Sequence, residues 1–162
     1  MKKIFLLLIF AILIFASCKD DDEPETLPSN INKTLLLQLV NEYRTNGCDC
    51  GPDGYFPPTT PVVWNEKLEW TALDHSNYMN QNNSLSHTGS DGSNVTIRAT
   101  KRGYNWLTIS ENIARGNHTE QSVIQAWISS GGHCSNIMNP NFKDLGVAKV
   151  GNYWTQVLGS QK

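Results

Sequence analysis

The sequence predicts an α+β fold, with helices packed on a small, mainly antiparallel sheet. Three observations carry that expectation. Apolar residues recur at helical spacing through the first two thirds of the chain. Two strand-like runs separated by Gly151-Asn152, a hairpin turn signal, close it. Between them there is no strand–helix–strand alternation of the kind that builds a parallel sheet.

The elements follow in order. Lys2 and Lys3 precede the apolar run Ile4 to Ala16, 13 residues that end at Ser17-Cys18. A basic start, a short apolar run and a small-residue site read as a secretory signal over 1–17, because a membrane-spanning helix needs about 20 apolar residues. Residues 18–30 are polar and acidic, with Pro24 and Pro28, and read as a solvated tether. One domain, 31–162, remains.

Within it, Leu35, Leu36, Leu39, Val40 and Tyr43 predict an amphipathic helix from about Asn32 to Gly47. The glycines and prolines of CDCGPDGYFPPTTP (48–61) predict an irregular loop. Val62-Val63-Trp64 is a short extended piece, after which Asn65 caps a second helix. Leu68, Ala72, His75 and Met79 share one face of that helix, so His75 reads as a hydrogen-bonded residue near the core. A loop around His87 follows, then a third helix from Asn94 to Gly103. Leu107 to Ala114 alternates apolar and polar residues. Thr119 caps a fourth helix carrying Val123, Ile124, Trp127 and Ile128, and His118 before it reads as exposed. The strands are Leu145–Val150 and Tyr153–Leu158. The five tryptophans read as core and sheet-packing residues.

Removal of Lys2 and Lys3 with the signal leaves 11 basic residues against 15 acidic, a net charge of −4. That balance argues against a nucleic-acid partner. After Cys18 three cysteines remain: Cys48, Cys50 and Cys134. An exported chain keeps disulfides, and a bridge within Cys48-Asp49-Cys50 would be strained, so Cys134 is expected to pair with Cys48 or Cys50. Closing more than 80 residues, such a bridge is worth ~4 kcal/mol in the chain-entropy model. A zinc site from the three cysteines and His133 is the weaker alternative, because CDC lacks the two-residue spacer of structural zinc sites.

Six segments then line up: VNEYR (40–44), VVWNEKLEWTALDHSNYM (62–79), SH (86–87), SENIARG (110–116), AWISSGGHCSNIM (126–138) and YWTQVLG (153–159). In this order they resemble the CAP superfamily of cysteine-rich secretory, antigen 5 and pathogenesis-related 1 proteins, in its bacterial SCP-like branch. The resemblance covers about residues 31–160. It implies an α-β-α sandwich with a central, mainly antiparallel sheet. It also implies a cleft holding His87, Glu111 of the ENIA motif and His133. The family's second carboxylate, three residues after the helix tryptophan, is Ser130 here. Asn112, Ser130 and Gln156 are further cleft candidates. FASC resembles a lipobox, implying lipid on Cys18, and the acidic run behind it resembles a surface-export signal. The implied location is the bacterial outer membrane, facing outward.

Two imidazoles and a carboxylate are a common ligand set for zinc or another divalent cation, and a metal-bound water there could attack a carbonyl. The same groups without metal form a hydrogen-bonded network. Three functions are therefore expected to compete. The first is a cleft binding a lipid, glycan or peptide, with or without metal, and the second is a metal-dependent hydrolase using His87, Glu111 and His133. The third is a structural or adhesion module. No G-x-S-x-G or HExxH marks an enzyme.

Overall fold

Polar caps fix where the helices begin. The Asn32 side chain accepts from the Leu35 N–H, Asn65 from those of Lys67 and Leu68, and Asn94 from that of Ile97. Thr119 and Ser122 exchange bonds in a capping box. They open α1 (Lys33–Asn46), α2 (Glu66–Gln81), α3 (Val95–Lys101) and α4 (Glu120–Ile128) in a computed structural model that describes residues 30–89 and 91–162. The signal, Cys18 and all of the tether but residue 30 lie outside the described residues. No helix among the described residues is long and apolar enough to cross a membrane.

The main sheet has the order β3-β5-β6-β4, from β3 (Val63–Trp64), β4 (Trp106–Arg115), β5 (Asp144–Val150) and β6 (Tyr153–Gln161). Gly151, with φ 56°, turns β5 into β6, because a left-handed backbone costs glycine nothing. Two of the three pairings are antiparallel. The short β3 runs parallel to β5, so the sheet is mixed at that edge.

Alternation along the strands divides the core into two layers of helix packing. Leu145, Val147, Trp154 and Leu158 face α1, α4 and a fifth helix, α5 (Gly131–Met138). Ala148 and Val157 face Leu68, Ala72 and Leu73 of α2 and Ala99 of α3. This is the expected α-β-α sandwich, and α2 sits so close that a Cβ on Gly146 would run into the backbone between Leu68 and Glu69.

Two sequence expectations need correction. The stretch 48–61 is not wholly irregular: β1 (Cys48–Asp49) pairs antiparallel with β2 (Tyr55–Phe56) around a 3-10 turn at Gly51–Asp53. Helix α5 was not foreseen either. Gly131-Gly132 are poor helix formers and Ser130 makes no capping bond, so α5 is held by tertiary contacts. Cys134 forms a disulfide with Cys50, leaving Cys48 as a buried free thiol. Arg44 of α1, fully buried, donates to the carbonyls of Thr60, Ile137, Asn139 and Phe142 and ties the end of α5 to α1. Burial lowers its pKa to about 10, so it keeps its charge at neutral pH.

Candidate functional site

Strand β4 carries Glu111 and Asn112 in succession, so their side chains leave opposite faces of the sheet. Glu111 opposes Val157 and points to the α2/α3 side, whereas Asn112 opposes Gln156 and points to the α5 side. Because β4 is the last strand of the sheet, both layers border its free edge.

On the first side the Glu111 side chain is 3% exposed and fully engaged. One carboxylate oxygen accepts from Arg98 at 2.6 Å, and the other accepts from His87 Nδ1 at 2.9 Å. His75 Nε2 lies 3.7 Å from the second oxygen and donates to the Ser86 carbonyl at 2.6 Å. Arg98 also donates to the carbonyls of Ser93 and His87. The loop bearing His87 is therefore stapled at both ends, by His75 from α2 and by Arg98 from α3.

These contacts set the charges. The bond to Glu111 raises the His87 pKa above its ordinary value, outweighing partial burial and the nearby Arg98 charge. Burial pushes His75 down despite Glu111, with Arg98 adding to the fall. His87 is 58% exposed at its side chain. With Nδ1–H directed at a carboxylate, its Nε2 is left to accept a proton or a ligand when the ring is neutral.

On the second side, Asn112 donates to the His133 carbonyl at 3.1 Å and to Gln156 Oε1 at 2.8 Å, and accepts from Asn136 at 2.8 Å. One amide thus locks α5 onto β4 and β6. Gln156 is fully buried, and its Nε2 has no hydrogen-bond partner among the described residues. His133 is half-buried; burial lowers its pKa, and the charge of His87 lowers it further.

The candidates therefore divide. His87 and Glu111 are bonded directly. Asn112, Gln156 and the His133 backbone form a second network across the strand. Ser130 sits at the start of α5, its N–H donating to the Trp127 carbonyl. Among the described residues, the metal-ligand side chains whose donor atoms converge as a set of three are Cys48, Cys50 and Cys134, not His87, Glu111 and His133. His118 is half-buried rather than exposed, with Nδ1 3.2 Å from the Ser122 hydroxyl.

Sequence reasoning missed Arg98, whereas His75 is the hydrogen-bonded residue near the core that was expected, and it also borders Glu111. A signal for the second was present. His75 falls on the apolar face of α2, and an imidazole with no exposure needs a buried partner. Arg98 gave no such signal, because its partners meet it only in the fold.

The sequence profile of the cysteine-rich secretory protein family (CAP) matches residues 37–158. The uncharacterized protein YkwD of Bacillus subtilis (strain 168) is 36% identical over 98 residues, 59% of this chain and 38% of YkwD. An extracellular protein containing a SCP domain from Bacillus anthracis str. Ames superposes with a TM-score of 0.68 at 24% identity, over 80% of this chain and 40% of that one. The chain thus spans less than half of either relative. NaASP2, solved with Zn2+, superposes with a TM-score of 0.55 at 15% identity over 85% of each chain. At these identities the structural likenesses speak to the fold.

Proposed function

The chain belongs to the cysteine-rich secretory protein (CAP) family, and on that premise we propose that it is a lipid-anchored protein of the bacterial cell envelope that binds an extracellular ligand at the edge of β4. His87 and His133 hold a divalent cation there, zinc being the best match to two imidazoles. The observation that carries this reading is the 2.9 Å bond from His87 Nδ1 to Glu111. A carboxylate that takes one ring N–H fixes the tautomer and presents the other nitrogen, as outer-shell partners of metal-bound histidines do. Glu111 is then an orienting group, because its oxygens already serve Arg98 and His87. The lowered pKa of His133 keeps a neutral imidazole available at neutral pH.

The zinc in NaASP2 supports the choice of metal, and the extracellular protein of B. anthracis supports export. Lipid on Cys18 and an outward-facing position rest on the lipobox-like FASC and the acidic run behind it. A bound cation would supply an electrophilic contact for a ligand carboxylate, carbonyl or hydroxyl. Lipid, glycan and peptide ligands all carry such groups. Hydrolysis forms no part of the proposal.

Calorimetric titration of the mature chain with zinc tests the reading. One equivalent is expected to bind to the parent and to His118→Ala, and to be lost in His87→Ala and His133→Ala. An absence of binding, or binding indifferent to both substitutions, would leave the cluster as a structural network and the protein as an adhesion or scaffold module.

A further inference from the structure

Cys48, Cys50 and Cys134 bring three sulfurs within 4.8 Å of one another, all buried, on the side of the sheet covered by α1, α4 and α5. Cys50 and Cys134 are bonded, while the Cys48 sulfur stands 3.7 Å from that of Cys134. From this geometry we infer that the cluster is a thiol–disulfide exchange site, in which Cys48 and Cys50 compete for Cys134.

The step is an isomerisation and needs no oxidant or reductant. The Cys48 thiolate attacks Cys134 Sγ, the Cys48–Cys134 bond forms, and the Cys50–Cys134 bond breaks. Cys50 leaves as a thiolate and takes up the proton that Cys48 gave up. The two bridges close chain segments of 84 and 86 residues. Their constraint on the unfolded chain is therefore the same, and only native geometry separates the isomers.

That geometry is permissive. Cys48 lies on β1 and Cys50 opens the 3-10 turn that follows, so both alternatives sit on one two-stranded flap. Exchange requires the three sulfurs to approach a line, whereas here they form a bent set. A side-chain rotation in Cys48 or Cys50 therefore gates the rate. Burial and the neighbouring Asp49 charge hold the Cys48 thiol above its ordinary pKa, so exchange accelerates as pH rises. Cys134 stays bridged in either isomer, and α5, which carries His133, stays anchored. The flap at 48–56 is what changes attachment.

Peptide mapping by mass spectrometry tests this, with alkylation under acid quench so that the pairing is trapped. The parent protein, held at pH 9 without reductant and then quenched, is expected to yield both Cys50–Cys134 and Cys48–Cys134 peptides. Cys48→Ser should yield only the first. Cys50→Ser, refolded in air, should form the Cys48–Cys134 bridge and keep the parent's circular dichroism. A parent that keeps a single pairing after prolonged incubation at pH 9 would overturn the inference. So would a folded Cys50→Ser that retains two alkylatable thiols. If Cys50→Ser does not fold, the parent's mapping decides alone.

Discussion

Replacing Glu111 by glutamine removes one charge at constant shape and strikes the centre of the site. The Glu111 and Arg98 side chains are 3% and 6% exposed and joined at 2.6 Å. Losing the carboxylate strands a buried guanidinium, which costs about 3–5 kcal/mol. Arg98 retains its bonds to the Ser93 and His87 carbonyls, which places the cost near the lower end. The bond to His87 adds little, because that side chain is more than half exposed and screened by solvent. For a domain of this size the loss corresponds to a fall in Tm of roughly 10–20 °C. The His87 pKa should fall as well. Once Glu111 is neutral, burial and the Arg98 charge remain, and both lower it, so it should drop below 6.5. The sign with pH follows from the raised native value. Stability from the His87–Glu111 bond is fully present below 6.5 and is lost as pH rises through the folded pKa. Urea unfolding and an NMR titration of the histidine ring protons measure both effects. A Glu111→Gln protein within about 1 kcal/mol of the parent, with an unchanged His87 pKa, would refute the assignment of Glu111 as a buried, orienting charge.

Arg44→Ala leaves the carbonyls of Thr60, Ile137 and Phe142 without their Arg44 donor, while that of Asn139 keeps the Phe142 N–H, and should cost at least about 3 kcal/mol by urea unfolding. Arg44→Lys recovers only part of it because an ammonium cannot reproduce the guanidinium fork. Gly146→Ala forces α2 off the sheet and should destabilise by about 1–3 kcal/mol in thermal melts. His75 is buried with a lowered pKa, so acidification below 6.5 protonates the unfolded chain first and destabilises the fold down to the native pKa. His75→Gln cannot titrate, and its Tm should fall less than the parent's between pH 7.5 and 5.

Much of the fold was legible because the signals were local. Asn32, Asn65, Asn94 and Thr119 cap helices through bonds to residues two or three positions away, and Gly151-Asn152 turns the last hairpin. Helix α5 was not legible, since its first residues are glycines and its anchors lie far off in sequence: Cys50 through the disulfide and Asn112 through Asn136. The site was legible in part. The motifs named His87 and Glu111, which the structure bonds together, and strand alternation could have separated Glu111 from Asn112. Arg98 was out of reach because its role comes from three groups brought together in space: the Glu111 carboxylate and the carbonyls of His87 and Ser93.

The proposal turns on one atom, His87 Nε2, and nitrogen-15 NMR of the imidazole ring reads it directly. At a pH above the raised His87 pKa, the proton should sit on Nδ1 facing Glu111, and one equivalent of zinc should shift the Nε2 resonance of His87 together with a ring nitrogen of His133. A His87 ring protonated at Nε2, or resonances of both rings unmoved by zinc, would contradict the account.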